Sequence, residues 1–308
     1  MGNTKPPVAN GQDVIAYQQE IKEALPVDSD IKPLVAIKAL ETTTPEVIDS
    51  AYEAGAIALK IYFRGSGTMN AEDGIPIDNL QVLFPALDRM QSINRRYLRK
   101  MLALWHCENP NAENGMDQEV ECIPIFDKAV KLFPGVRHVF EHISTKDGVD
   151  YMIDRAPDNT AATLTPQHLR ITHDHITRWG LRPENYCRPE AQFAKDRRAL
   201  VTAATSGNPK FFLGTDDAPH LWTAKTSRKG SPGVFTGPYG LNHYTQVFEE
   251  ADKLHVLENF ASRFGAEFYG LPLNEDTIEM VKDPFLIPDE MDGIVPFMAC
   301  QQLNWRVA

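Results

Sequence analysis

Short apolar runs alternate with amphipathic stretches along most of the chain. Val14, Tyr17, Ile21 and Leu25 recur at helical spacing and predict a helix over about 13–25. Leu34-Val35-Ala36-Ile37 then reads as a short strand. Thr44-Pro45-Glu46 supplies a capping residue followed by proline at the first helical position, and Gly55 stops the helix that it opens. The run 56–62 is a continuous apolar strand interrupted by Lys60, and a loop containing glycine and serine leads to a helix near 78–90. The same alternation predicts strands at 101–107, 136–141, 160–165 and 210–214, and helices at 116–133, 146–155 and 189–204. From Leu241 onward the pattern is mainly helical, with Gly265 and Gly270 as stops. Strands without a polar face, alternating with helices, call for a parallel sheet covered on both sides, because each parallel crossover needs a helix. The segment 220–240 is rich in Gly, Pro, Ser and Lys, a long loop of the kind that carries function at a barrel rim.

Composition adds limits rather than a class. With 308 residues, 43% hydrophobic and 24% charged, the chain fits one large α/β barrel spanning 1–308. The formal net charge of -11 argues against a nucleic-acid partner, which needs a concentrated basic face. The densest basic run, Arg95-Arg96-Tyr97-Leu98-Arg99-Lys100, is short and reads as a solvated edge. Cys107, Cys122, Cys187 and Cys300 form no CxxC pair, and no secretory segment opens the chain, so reduced thiols in the cytoplasm are expected. No apolar run is long enough to cross a bilayer.

The chemistry concentrates at strand ends. Lys60 lies inside an apolar strand, and His106, His142 and Asp216 each end or directly follow one. In a parallel barrel the C-terminal ends of all strands open on one face, so residues far apart in sequence meet there. A lysine flanked by apolar residues in a central strand is costly unless it is paired or modified. Two histidines, an aspartate and a buried lysine resemble a metal site. A lone histidine after a strand is more often a hydrogen-bonded structural residue, and His138, His173, His175, His243 and His255 are read that way.

Several longer motifs closely resemble the single-domain bacterial and fungal dihydroorotases of the amidohydrolase superfamily. They are Phe140-Glu141-His142-Ile143-Ser144-Thr145-Lys146-Asp147, Thr163-Leu164-Thr165-Pro166-Gln167-His168-Leu169 and Leu213-Gly214-Thr215-Asp216-Asp217-Ala218-Pro219-His220. Ala58-Leu59-Lys60-Ile61-Tyr62, Val247-Phe248-Glu249-Glu250 and Phe268-Tyr269-Gly270-Leu271-Pro272 agree as well. The resemblance implies a TIM-type (β/α)8 barrel with two zinc ions per subunit, bridged by a lysine carboxylated with carbon dioxide, here Lys60. It puts the later histidine ligands on His106 and His142, and the aspartate that binds metal and carries the proton on Asp216. Substrate contacts fall on His220, Asn3 and Arg188. The implied reaction is reversible closure of N-carbamoyl-L-aspartate to L-dihydroorotate in pyrimidine synthesis, and the implied assembly is a homodimer. Carboxylation turns a buried ammonium into an anionic ligand, two metals activate a bridging water, and an aspartate moves its proton to the leaving nitrogen.

The front of the chain departs from that pattern. The family opens with a strand ending in His-x-His-x-Arg, then a second strand that ends just before the residue matched by Asn3. No such motif occurs here, and His173-Asp174-His175 is followed by Ile176-Thr177. Arg188 also replaces an apolar family residue. Three accounts follow: a shortened version of a working enzyme, a degenerate paralogue that binds or regulates, or an altered hydrolase with one metal. All three predict about six barrel strands. The surviving ligands predict at most one zinc, weakly held, and little or no turnover.

Overall fold

The computed structural model describes residues 4–178 and 180–308. The chain divides into two compact units, the first running to Phe140 and taking in Pro157–Thr160, the second made of Glu141–Ala156 and Ala161–Ala308.

The first unit opens with helix α1 (Gly11–Ala24), capped by the Asn10 side chain, which accepts from the backbone of Gln12 and Asp13. Strand β1 (Ala36–Lys38) follows, then α2 (Pro45–Glu53), capped by Thr44 with proline in its first turn. Strand β2 (Ala58–Tyr62), a 3-10 turn (Ile77–Leu83), α3 (Phe84–Arg96), β3 (Leu102–His106), α4 (Gln118–Leu132) and β4 (Arg137–Phe140) complete the alternation. The four strands pair in parallel and in order, with Lys38 opposite Lys60 and Tyr62 opposite His106. Every residue of β2 and β3 is buried, which is why their sequences read as apolar runs broken only by Lys60 and the terminal His106. Asn94 ties α3 to the sheet: its amide donates to the carbonyls of Met101 at 2.9 Å and Gly135 at 3.1 Å, and its oxygen accepts from Met101 N at 2.8 Å.

In the second unit, α5 (Lys146–Asp154) is capped by Thr145, and β5 (Thr160–Leu164) runs into α6 (Pro166–Arg170), capped by Thr165. The short α7 (Asp174–Thr177) precedes α8 (Ala194–Ala204) and β6 (Phe211–Leu213), which pairs in parallel with β5. Beyond β6 lie α9 (Trp222–Lys225), α10 (Gly240–Glu250), a π-helical turn (Asn259–Arg263) and α11 (Phe264–Tyr269), closed by Gly270 in the left-handed conformation. Six parallel strands are thus found among the described residues, the number expected.

Two readings need correction. Gly265 is not a stop, since it lies inside α11. The C-terminal part is also not mainly helical: β7 (Met280–Leu286) and β8 (Gln302–Val307) form an antiparallel pair. Their register shifts between Lys282 and Phe285, where Pro284 sits, so one irregularity hides the period-two pattern. Side chains of α10 fasten this pair, with Asn242 donating to the Trp305 carbonyl at 2.8 Å and Glu249 accepting from the Trp305 indole at 2.9 Å.

Candidate functional site

In the first unit, the sheet brings together Lys60 and His106. Lys60 is 4% exposed, and its Nζ lies 4.8 Å from the centre of the Tyr62 ring. That ring stands 5.6 Å from the His106 imidazole. His106 Nε2 meets Glu108 Oε2 at 2.6 Å, with both side chains buried. Glu108 was not singled out in the sequence, although it stands only two residues beyond the histidine. Lys38, in register with Lys60, was also missed. It is 1% exposed, pairs with Asp73 and the Asn70 carbonyl, and lies 5.9 Å from the Tyr62 ring. Its sequence signal was the one that marked Lys60, a lysine in an apolar strand.

In the second unit, His142 and Asp216 each follow a strand-end segment and share an uncommon backbone state, with φ of 43° and 45°. Thr163 of β5 secures the first of these: its hydroxyl accepts from His142 N at 2.7 Å. Gly214 is needed beside it, because a Cβ there would stand 2.6 Å from the Thr163 Cβ. Asp217, next to Asp216, gathers the far end of the long loop, its Oδ1 accepting from Thr236 N at 2.8 Å and Gly237 N at 2.7 Å. The loop therefore leaves from the C-terminal end of β6 and returns to it. His220 Nε2 lies 3.1 Å from the Pro232 carbonyl. Burial and then the nearby Lys225 charge lower the pKa of His220, against a raising effect of the Pro232 carbonyl. Arg188 sits half-buried in the segment before α8, ahead of a cis proline. Asn3 lies outside the described residues.

The remaining histidines have structural partners or none. His168 is held by Thr165 at 2.8 Å and the Pro189 carbonyl at 3.0 Å, and His173 by Glu190 at 2.8 Å. His138 accepts from the Trp105 indole at 3.1 Å, which leaves its other nitrogen to donate to the Phe133 carbonyl at 3.2 Å. His243 is fully buried on α10 and neither of its ring nitrogens makes a hydrogen bond.

No family model matches the chain. Individual relatives do. A dihydroorotase of Teredinibacter turnerae is 39% identical over the whole chain and 88% of the relative's length. The chain belongs to the dihydroorotase family. A second dihydroorotase, from Coxiella burnetii, is 37% identical over the whole chain and 87% of its own length. Among solved structures, the dihydroorotase of Saccharomyces cerevisiae in complex with 5-fluoroorotic acid superposes with a TM-score of 0.90 at 28% identity, covering all of this chain and 88% of that one. The fold is accordingly the TIM-barrel type of the amidohydrolase superfamily, with six parallel strands among the described residues.

The dihydroorotase resemblance implies two zinc ions, and the donors present do not fit two. Among the described residues, no three His, Cys, Asp or Glu side chains gather to hold a metal ion. His106 turns its Nε2 to Glu108, and the sequence supplies no His-x-His-x-Arg. No helix is long and apolar enough to cross a membrane.

Proposed function

We propose that this chain is a catalytically impaired dihydroorotase homologue, which binds the carboxylate of a dihydroorotate-like ring and serves as a binding or regulatory protein. The carrying observation is the mismatch between its two ends. No three metal-ligating side chains gather among the described residues, whereas the carboxylate end keeps His220 and adds Arg188. The resemblance assigns any remaining zinc to Lys60 (as a carbamate), His106, His142 and Asp216, a set that we read as holding at most one ion. In the hydrolase reading below, Asp216 is the residue that would carry a proton. His220 and Arg188 would bind and orient an anionic ring, with Asn3 as the third contact. A small anionic ligand, a cytoplasmic setting and a homodimer complete the proposal, and the net charge of -11 disfavours nucleic acid.

The second reading is a working zinc-dependent cyclic-amide hydrolase that interconverts N-carbamoyl-L-aspartate and L-dihydroorotate. The identity of 39% along the whole chain favours it. Three measurements on one preparation separate the two: zinc per chain by elemental analysis, ring opening of L-dihydroorotate with excess zinc, and binding of 5-fluoroorotate by calorimetry. The first reading expects binding, no more than one zinc and no turnover. Two tightly held zinc ions with turnover at ordinary enzyme rates establish the second reading instead. Absence of both binding and turnover defeats both.

A further inference from the structure

The long loop after β6 contains a lysine that no metal or substrate role absorbs. Lys225 is 7% exposed, although it ends the short helix α9 in a segment otherwise rich in exposed residues. Its Nζ donates to the Tyr186 carbonyl at 2.8 Å and to the Gly233 carbonyl at 2.5 Å. The Tyr186 carbonyl also accepts from Gly233 N at 2.9 Å, so three groups from two distant segments meet at one point. One of those segments leads within two residues to Arg188. The other passes directly under His220: the Pro232 carbonyl meets its ring, and a Cβ on Gly233 would stand 2.9 Å from its Cδ2 and 2.5 Å from the Ala218 carbonyl oxygen. Gly233 has a φ of 146°, so glycine is required there twice over.

Burial lowers the Lys225 pKa to about 8, with Cys187 and Glu184 acting to raise it. The ammonium is still the main form at neutral pH, and its bonds to carbonyls are charge-assisted and shielded from water. Glu184, His220, Lys225, Gly233, Phe235 and Ile294 line a partly open cleft of about 10 Å³, which leaves space for about one water. An apolar side chain of the same length could make neither bond, and the cleft has room for about one water in its place.

We propose that Lys225 is a positioning residue that fastens the Tyr186–Arg188 strap to the His220 loop, so that Arg188 and His220 meet a ligand carboxylate as a fixed pair. The ligand half of this inference rests on the function proposed above. The fastening itself does not.

The test compares wild-type protein with Lys225→Met, Lys225→Gln and Lys225→Arg. Two quantities are read: 5-fluoroorotate affinity by calorimetry, and the His220 imidazole proton resonance in the ligand-free protein by NMR. Lys225→Met is expected to weaken binding at least tenfold and to shift the His220 resonance. Lys225→Arg, which keeps the charge, restores part of each. Lys225→Gln, which keeps one bond, gives an intermediate result and covers a methionine variant that fails to fold. An unmoved His220 resonance overturns the fastening, whatever the wild type binds. A shifted resonance with wild-type affinity overturns the positioning role. A wild-type protein that binds no 5-fluoroorotate refutes the proposed function, and is recognised before any variant is made.

Discussion

Replacing His243 by phenylalanine should make the protein more stable and less sensitive to acid. His243 has no exposed surface, packs 4.9 Å from the Phe297 ring, and has both ring nitrogens buried without a hydrogen bond. Burial, then the Arg170 charge, lower its pKa to about 3, well below the usual imidazole value, while a Phe297 backbone group acts to raise it. The folded pKa is depressed, so the unfolded chain binds the extra proton between pH 6.5 and 3. Stability therefore falls as pH falls through that window, by roughly 1.4 kcal/mol per unit well inside it. From pH 7 to pH 5 this residue alone costs about 2 kcal/mol. His138, with a pKa lowered to about 4 by burial, acts in the same direction. It adds a similar loss of about 2 kcal/mol by pH 5. Phenylalanine at 243 removes two unsatisfied buried polar atoms at similar ring size, a gain of about 1–3 kcal/mol at pH 7. The assay is urea unfolding at pH 7 and pH 5, followed by far-UV circular dichroism. His243→Phe should be the more stable protein at pH 7, and should lose about 2 kcal/mol less than the wild type on going to pH 5. A variant that is weaker at pH 7, with an unchanged acid loss, would refute the claim that this imidazole is buried neutral and unpartnered.

Three further outcomes are expected. Gly214→Ala drives a methyl into Thr163 and should cost about 1–3 kcal/mol in denaturant unfolding. Thr163→Ser at the same time should return part of that loss, since it removes one of the three crowding atoms and keeps the hydroxyl that holds His142. Asn94→Ala leaves buried backbone groups of Met101 and Gly135 without partners and should destabilise by about 2–4 kcal/mol, measured by urea titration. Asp217→Ala removes the acceptor for Thr236 N and Gly237 N, so limited proteolysis between Lys225 and Lys229 should accelerate several-fold while the thermal midpoint moves little.

The alternation of strands and helices was legible because burial on both faces leaves a strand no polar positions to show. β2, β3 and β5 are buried at every residue, and their sequence bounds were found to within two residues. The β7–β8 pair was illegible for the opposite reason. Its residues are mostly exposed, and Asp283-Pro284 breaks the period where it would have been read. In the site, Lys60, His106, His142 and Asp216 were visible as ionisable residues in or after apolar runs. Lys225 was not, because its two acceptors are backbone carbonyls at positions 186 and 233, and a carbonyl has no letter of its own. The resemblance to the family supplied roles that spacing alone could not assign, and the structure supplied the pairing of His106 with Glu108.

His142 and Asp216 both sit at positive φ, where a side chain with a Cβ is held at a cost of about 1–3 kcal/mol. Glycine would occupy either position with less strain. Keeping histidine and aspartate at these two turns therefore carries a standing cost to the fold, set against whatever their side chains do at the strand ends.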